Sequence, residues 1–483
     1  MAVPQEIKDV KRPSSTVIKE SFGRYFVVKR TSQRVKGKKN PQTIDLGTIG
    51  EIINGEYVEI RKEPKKITDK KKINIKTYGS SFVTYKVSKD LHKDLKEVFN
   101  NSDADKLYVI ALLRVIENDI KNRDIKLAYD TSYISELIPN VHLSENTIST
   151  FLRDMGLEYI SIRKFLEKRA SRFKDSTQVI DGTLKEDNSD ANTLAEYSRK
   201  GRIKGSKDIS LMYSFDLTTK EPVTMKAYSG NMLDLRAVSD FITDFKPNNS
   251  LLVMDKGFYS TSNIKLFKSI TGLSYIIPLQ RNSKILKENN MYDGISNSGV
   301  VDDKNILYKK VKINDDTYLY SFRDPYLSAN EEIAYLNNHK NNDDYEIKKK
   351  EFGVISFETN KDIDPIEVYK AYESRWEIET LFKMFKDILD LDTENVHSDY
   401  SLITSEFINY LSVIIAQRLK KTFKEIKLTN KNKTIADTYS FKQVMRYLSK
   451  IKAIKFKGTK WDINYPANVK YIEELGQSLC IGD

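Results

Sequence analysis

The sequence predicts an α/β protein whose core is a mixed β-sheet flanked by helices. Three observations support this fold class. Residues 175–281 show strand-like and helix-like patterns in the order β-β-β-α-β-α-β. A β-rich segment interrupts this pattern at 282–350. Long helical patterns follow at 364–390 and 401–426, and a chain of 483 residues is expected to form two to four domains.

The segment 175–281 is predicted to be the first part of a ribonuclease-H-like catalytic core, because this fold uses that order of strands and helices. Its three leading strands are predicted at STQVIDGT, DISLMYSFDL and EPVTMKAYSG. A helix at MLDLRAVSDFITDF, a strand at SLLVMDKGFYS, a helix at TSNIKLFKSI and a strand at SYIIPL then complete the pattern.

The remaining boundaries follow from changes in composition along the chain. Residues 282–350 are predicted to be a β-rich insertion subdomain, and 351–427 the second part of the core. Residues 1–87 form a basic, β-containing module for DNA binding, and 88–174 a helical region. The basic region 428–483 is a candidate for dimerisation.

The helical region contains a helix-turn-helix candidate at TSYISELIPNVHLSENTISTFLRDMG. A short helix is expected to end near Pro139, Ser144 can cap a second helix, and Gly156 is placed to end it. A plain helical hairpin explains the same pattern. The basic context favours DNA binding.

The net charge of +12 is concentrated at the N-terminus. Residues 1–90 contain 21 Lys and Arg against 10 Asp and Glu, a net charge of +11, so the rest of the chain is nearly neutral. This asymmetry indicates a polyanionic partner such as nucleic acid. A soluble, lysine-rich surface is the alternative, and charge alone does not separate the two.

Other composition data narrow the class of protein. The single cysteine, Cys480, excludes an internal disulfide framework and fits a reducing compartment. No apolar run approaches the roughly 18 residues of a membrane helix, and the start lacks the apolar stretch of a secretory signal. Four histidines and one cysteine cannot build the usual Cys/His zinc sites, so a catalytic metal would be held mainly by carboxylates.

Two aspartates are expected at the ends of apolar strands. Asp181 follows QVI and Asp255 follows LLVM, and the ends of strands in open sheets commonly present ligand-binding groups. Gly182 and Gly257 are expected to allow tight turns away from the site. Each aspartate taken alone is weak evidence, because an aspartate at the end of a strand is more often a helix cap or a turn former.

Three further aspartates compete with this pair. Asp216 lies at the end of another predicted strand, and Asp187 and Asp190 lie in a polar loop near Asp181. The loop positions fix a side chain less firmly than a strand does, so Asp181 and Asp255 are the preferred candidates.

The stretch AYESRWEIETLFKMFKDILD combines an amphipathic helix with a polar stripe. With Tyr372 as reference and about 100° per residue, Arg375 falls near −60°, Glu379 near −20°, Lys386 near −40° and Lys383 near +20°. The stripe therefore selects Glu379 among its neighbouring glutamates. Ordinary ion pairs at i±4 spacing explain the stripe as well, and only the two distant aspartates favour a catalytic function.

These motifs resemble those of a known family. The spacing Y-x2-R-x3-E-x6-K, here Tyr372, Arg375, Glu379 and Lys386, is the signature of the YREK group of bacterial insertion-sequence transposases, the "IS four" superfamily. DKGFYS resembles the family's second aspartate motif, VIDGT its first, and YSGNMLD a segment found between them. The resemblance covers about 175–425, and the N-terminal region resembles the long-N-terminus branch.

The resemblance implies a DDE transposase. Asp181, Asp255 and Glu379 would be its catalytic residues and would hold two Mg²⁺ ions, with Mn²⁺ as a substitute. Tyr372, Arg375 and Lys386 would bind the DNA of the transposon ends, and Lys383, beside the same stripe, is grouped with them. Trp376 is expected to be a packing residue at the edge of this face.

The resemblance also implies the biological setting. Such an enzyme binds the terminal inverted repeats of its element, cleaves phosphodiester bonds and joins the 3′-OH ends to target DNA. Its partners would be double-stranded DNA and a second copy in a homodimer, without a membrane, in the bacterial cytoplasm at the nucleoid. The alternatives are a catalytically inactive DNA-binding protein derived from a transposase, and a ribonuclease-H-like nuclease that only hydrolyses.

Overall fold

The computed structural model describes residues 3–34, 40–60, 73–187, 189–198, 201, 203–247, 249–338, 344–393, 396–429, 432–456 and 458–482. The chain divides into two units, residues 1–72 and residues 73–483. Most of the basic stretch between the predicted N-terminal strands and helices, residues 61–72, lies outside the described residues. Each unit is considered by itself below.

The N-terminal unit is a four-stranded antiparallel sheet in the order β1-β2-β3-β4. The β1–β2 and β3–β4 hairpins turn at Phe22–Gly23 and at Asn54–Gly55, where φ is positive at both residues of each turn. Such φ values match the turns that join twisted antiparallel strands with two-residue loops. The elements are α1 (Gln5–Lys8), β1 (Thr16–Ser21), β2 (Arg24–Gln33), β3 (Gln42–Ile53) and β4 (Glu56–Glu59).

The second unit begins with a short strand and a group of helices, which agrees with the predicted helical character of 88–174. The elements are β5 (Asn74–Thr77), α2 (Gly79–Lys96), α3 (Asn101–Ile116), α4 (Ile125–Thr131), α5 (Ile134–Leu137), α6 (Glu145–Leu157) and α7 (Tyr159–Ser171). Ser144 caps α6, as predicted, because its side chain accepts a hydrogen bond from the Thr147 N–H. The helix-turn-helix stays a prediction, since α5 has a single turn.

α6 ends at Leu157, one residue after its predicted end, and Gly156 lies in the last turn of the helix and does not cap it. A Cβ at Gly156 would overlap the backbone carbonyl of Tyr400. The glycine therefore allows a close approach between α6 and the segment around Tyr400.

The central sheet contains the strands predicted for 175–281, in the predicted chain order. The elements are β6 (Thr177–Glu186), β7 (Glu196–Tyr197), β8 (Lys207–Asp216), β9 (Pro222–Ser229), α8 (Asp234–Phe245), β10 (Leu251–Met254), α9 (Thr261–Ser269) and β11 (Ser274–Pro278). In space, β9, β8, β6, β10 and β11 are neighbours in this order. β6, β10 and β11 are parallel, and β8 is antiparallel to β6. The predicted mixed sheet flanked by helices is confirmed.

The segment predicted as an insertion subdomain contributes three strands to the same sheet. β14 pairs with β15, and β15 pairs with β11, so the sheet continues in the order β12-β13-β14-β15-β11. A separate β-rich subdomain is therefore not confirmed. The elements are α10 (Lys284–Glu288), β12 (Asn297–Val301), β13 (Lys304–Asn314), β14 (Thr317–Arg323), α11 (Pro325–Asn338), α12 (Tyr345–Lys349) and β15 (Val354–Thr359).

The helix predicted over 364–390 is interrupted. It consists of α13 (Pro365–Glu373), a 3-10 turn (Ser374–Trp376), α14 (Glu377–Lys383) and a π-helical turn (Met384–Ile388). The Ser374 hydroxyl donates to the Lys370 carbonyl at 2.9 Å, a local bond that commonly bends helices. Such π-helical turns within helices are frequent at functional sites.

The chain ends with one long buried helix and a small sheet. The elements are α15 (Asp399–Glu425), α16 (Ile435–Thr438), α17 (Phe441–Leu448), β16 (Lys452–Lys455), β17 (Asp462–Asn464) and α18 (Lys470–Ser478). β16 pairs with both β17 and β5, so the C-terminal region and residues 74–77 share one sheet. The apolar core of this unit runs from the helices around α3 through the central sheet to α15.

Candidate active site

Asp181 and Asp255 lie next to each other on neighbouring parallel strands. The register pairs Val253 with Val179 and Met254 with Ile180. The next residue on each strand path is the aspartate, so the two carboxylates start from adjacent positions of the sheet. Asp255 immediately follows β10, as predicted.

The prediction that Asp181 ends its strand is wrong. β6 continues to Glu186, because it stays paired with β8 along its whole length, with Asp181 opposite Tyr213 and Gly182 opposite Met212. Gly182 therefore lies in a strand and makes no turn. What ends beside Asp181 is the neighbouring strand β10, and this leaves one side of Asp181 open.

The competing aspartates have structural partners. The buried carboxylate of Asp216 accepts hydrogen bonds from the N–H and hydroxyl of Thr219, at 2.7 and 2.8 Å. Buried Asp187 accepts from the Asn192 side chain at 2.6 Å and from the Ser189 N–H at 2.9 Å. Asp190 is exposed and pairs with Lys207 at 2.8 Å. Asp216 and Asp187 stabilise turns, so their positions are explained without a catalytic role.

Arg375 connects the third predicted acid to this pair. Its guanidinium lies 3.8 Å from an Asp181 carboxylate oxygen and 4.0 Å from a Glu379 carboxylate oxygen. The Arg375 side chain is only 13% exposed. Within the described part of the chain, its buried Nε has no hydrogen-bond partner. A largely buried cation thus lies between two of the predicted catalytic carboxylates.

Burial and neighbouring charges shift the titration of Asp181. Burial raises the pKa of its carboxyl to about 6, and the negative charges of Asp255 and Glu379 act in the same direction. The Gly182 N–H, which donates to the carboxylate at 2.8 Å, and the Arg375 charge oppose this pKa rise. All three predicted acids are therefore close enough to interact electrostatically.

The ring of Tyr372 packs against the Arg375 guanidinium. Its half-buried ring packs on Phe357 with centroids 4.6 Å apart, and the Arg375 guanidinium lies 5.6 Å from the Tyr372 ring centre. Burial raises the Tyr372 pKa, and so does the charge of Asp255. Trp376 does not pack as expected, because 62% of its surface is exposed. The Arg375 guanidinium also lies 5.6 Å from the Trp376 ring.

The two lysines of the signature helix have different surroundings. Lys383 is exposed on α14. Lys386 is partly buried in the π-helical turn, and its Nζ donates to the Leu184 carbonyl at 2.7 Å. The structure thus brings Tyr372, Arg375 and Glu379 together with Asp181, while Lys386 lies against the backbone of β6.

A cleft with both polar and apolar walls opens beside the two aspartates. Asp181, Asp255, Ser210, Asn231 and Asp234 line it. The sequence analysis did not single out Asp234, the first residue of α8. Its position in YSGNMLD, shortly after β9 ends at Ser229 and at the start of a helix, is the signal that could have identified it.

The chemistry of these side chains fits a divalent cation such as Mg²⁺, which prefers oxygen ligands. Asp181 and Asp255 offer carboxylates from adjacent strands, and Glu379 offers a third beyond Arg375. Among the described residues, no three Asp, Glu, His or Cys side chains lie close enough together to hold a metal ion as they stand. The oxygen donors of these acids suit Mg²⁺ by their chemistry, and the Arg375 guanidinium lies between Asp181 and Glu379.

A comparison with protein-family models agrees with the choice of these three acids. Residues 172–400, which include Asp181, Asp255 and Glu379, match the family model of the transposase DDE domain. This match supports a DDE transposase.

One similar solved structure is a piggyBac transposase synaptic complex with hairpin DNA. It is 13% identical, and the similarity covers 73% of this chain and 71% of that one with a TM-score of 0.37. No curated protein matches the sequence. In the described part of the chain, no helix has the length and apolar character of a membrane span.

Proposed function

We propose that this protein is a DNA transposase that binds the terminal inverted repeats of its own element, cleaves phosphodiester bonds and joins the 3′-OH ends to target DNA. The adjacent positions of Asp181 and Asp255 on parallel strands carry the proposal. Both lie within the residues that match the transposase DDE domain. The spatial order β9-β8-β6-β10-β11 is consistent with a ribonuclease-H-like core.

Asp181, Asp255 and Glu379 are the proposed catalytic residues and would hold two Mg²⁺ ions, or Mn²⁺ in their place. Two bound divalent ions supply charge stabilisation for the attacking and leaving oxygens of a phosphodiester. Without such cations, three carboxylates in one site repel each other. The pKa of Asp181 is raised mainly by burial, and the charges of Asp255 and Glu379 add to this rise.

Arg375 is the proposed phosphate-binding group closest to the acids. A guanidinium can donate two parallel hydrogen bonds to phosphate, and its buried Nε has a free donor within the described residues. Tyr372 keeps the guanidinium in place through ring contact. Lys383, exposed on the same helix, is proposed to contact a more distant phosphate.

End recognition is proposed for the N-terminal regions. Residues 1–72 contain 18 Lys and Arg against 9 Asp and Glu, a net charge of +9 that suits phosphate contacts. α6 presents Asn146, Ser149 and Arg153 on its exposed side, which fits a recognition helix. We further propose a homodimer on paired ends, dimer contacts within 428–483, and action in the bacterial cytoplasm at the nucleoid.

The test uses the DNA that flanks the gene, in which short inverted repeats mark the substrate ends. Purified full-length protein is incubated with labelled end fragments, target plasmid and Mg²⁺ or Mn²⁺. The proposal predicts cutting at the repeat and joined products, both lost in Asp181→Ala while gel-shift binding remains. Binding without cutting in either metal would support an inactive DNA-binding protein. Cutting without joining would support a nuclease that only hydrolyses.

A further inference from the structure

Lys386 makes a contact that its place in the signature motif does not explain. Its ammonium donates a hydrogen bond to the Leu184 carbonyl, with Nζ and O 2.7 Å apart. Leu184 lies on β6, the strand that carries Asp181. Lys386 itself lies in the π-helical turn that follows α14, the helix that carries Glu379. The bond therefore links the two elements that present these acids.

The neighbouring residues reinforce the same link. The buried ammonium of Lys185 lies 5.6 Å from the Phe385 ring centre and forms an ion pair with Glu406. The Glu186 N–H donates to the Asp392 carbonyl at 3.2 Å, and Glu186 forms a parallel bridge with Thr393. Three consecutive residues of β6 are thus joined to the segment after α14.

We infer that Lys386 is a positioning residue that sets the separation between Asp181 and Glu379. This inference rests on the proposed function. Asp181 and Glu379 repel each other and belong to separate elements, so a link between these elements is needed to hold them near one cation. Lys386 lies in the π-helical turn at Met384–Ile388, and its ammonium meets the backbone of β6.

Lys383 provides a matched comparison. It is exposed and lies in the regular part of the same helix. If the motif lysine were a phosphate contact, Lys386→Met and Lys383→Met would have similar effects on DNA binding. If it is a positioning residue, the two substitutions have effects of different kinds.

The experiment measures two quantities on full-length protein. Mn²⁺ affinity is measured without DNA by electron paramagnetic resonance. DNA affinity is measured without metal as a function of salt concentration, using an end fragment. We expect Lys386→Met to weaken Mn²⁺ binding roughly 10- to 100-fold, the usual effect of losing a group that orients a ligand. Its salt slope should equal that of the wild type. Lys383→Met should lower the slope by about 1 with Mn²⁺ affinity unchanged.

Lys386→Arg distinguishes loss of the hydrogen bond to β6 from a non-specific disruption of the fold. Arginine keeps a donor that can reach a carbonyl, so we expect it to restore part of the Mn²⁺ affinity. Unchanged Mn²⁺ affinity in Lys386→Met, or a salt slope lowered by about 1 as for a phosphate contact, would overturn the inference. The wild type failing to bind either Mn²⁺ or DNA would instead overturn the proposed function.

Discussion

The Arg375 guanidinium lies 3.8 Å from the Asp181 carboxylate, at the point where β10 ends and leaves Asp181 open on one side. The same guanidinium is 4.0 Å from Glu379. In this arrangement a cation of the protein partly neutralises two carboxylates that would otherwise repel each other.

Replacing Asp181 with Asn is expected to stabilise the folded protein at pH 8. Burial raises the Asp181 pKa from 3.8 to about 6, so the folded state holds this proton more tightly than the unfolded chain does. The resulting contribution to stability is full below pH 3.8 and is lost as the pH rises through 6. A shift of this size corresponds to about 2–3 kcal/mol.

The measurement is the free energy of unfolding in urea, without metal, at pH 8 and pH 4.5. The increase in the free energy of unfolding caused by Asp181→Asn should be smaller at pH 4.5 than at pH 8. Asp190→Asn is the control, because that exposed carboxyl has its pKa lowered by Lys207 and should show no gain. Asp181→Asn being no more stable than the wild type at pH 8 would contradict this interpretation of the site.

Removing one partner of the buried Lys185–Glu406 pair is expected to destabilise the core. Both side chains are at most 1% exposed, and Glu406 also accepts from the Asn409 side chain at 3.1 Å. Glu406→Ala leaves a buried ammonium without its counter-ion, which costs roughly 3–5 kcal/mol. The exposed pair of Arg163 and Glu167 is the control, since Glu167→Ala should cost no more than about 0.5 kcal/mol.

Thermal unfolding and urea titration give both values. A double substitution, Lys185→Met with Glu406→Leu, should recover much of the loss, because replacing both charges removes the buried ion. Equal losses of stability in Glu406→Ala and Glu167→Ala would show that the buried pair contributes no more to stability than the exposed pair does.

Gly156→Ala is expected to destabilise the protein, although alanine normally stabilises a helix by about 1 kcal/mol relative to glycine. The new methyl group would overlap the Tyr400 carbonyl, so α6 or the neighbouring segment must shift. Overpacking of this kind costs about 1–3 kcal/mol. Ser149→Ala on the exposed side of α6 is the control and should be close to neutral. A stabilised Gly156→Ala protein would exclude this close approach.

DNA binding at the site is expected to change the fluorescence of Trp376. Trp376 is 62% exposed beside Arg375, whereas Trp461 donates from its Nε1 to Glu136 at 3.1 Å. In Trp461→Phe protein, Trp376 is the remaining tryptophan, and adding an end fragment should quench its emission. In Trp376→Phe protein, the remaining signal should change little. If DNA quenched the emission only in Trp376→Phe protein, where Trp461 remains, the DNA would bind away from Arg375.

The sequence predicted the elements of the central sheet well, because their apolar strands and amphipathic helices are locally distinct. It also selected Asp181, Asp255 and Glu379, which the structure places within electrostatic reach of one another. The extent of β6 was not predicted, since only its long-range pairing with β8 carries the strand past Asp181.

Other features depend on contacts that no local pattern reveals. Lys386 lies in a π-helical turn at Met384–Ile388 and donates to the backbone of β6, and no local pattern predicts either the turn or this contact. β14 joins β15 across a long stretch of chain, so the predicted insertion continues the sheet. Trp376 was expected to pack at the edge of the face that carries Glu379, but 62% of its surface is exposed.

The central claim is that Asp181, Asp255 and Glu379 form one divalent-cation site. The most direct test is Mn²⁺ binding to full-length protein, measured by electron paramagnetic resonance without DNA. We predict binding by the wild type, and loss of binding in each of Asp181→Asn, Asp255→Asn and Glu379→Gln. Asp190→Asn, in a nearby exposed loop, should bind like the wild type. Wild-type affinity in the three acid variants, or equal loss in Asp190→Asn, would contradict the claim.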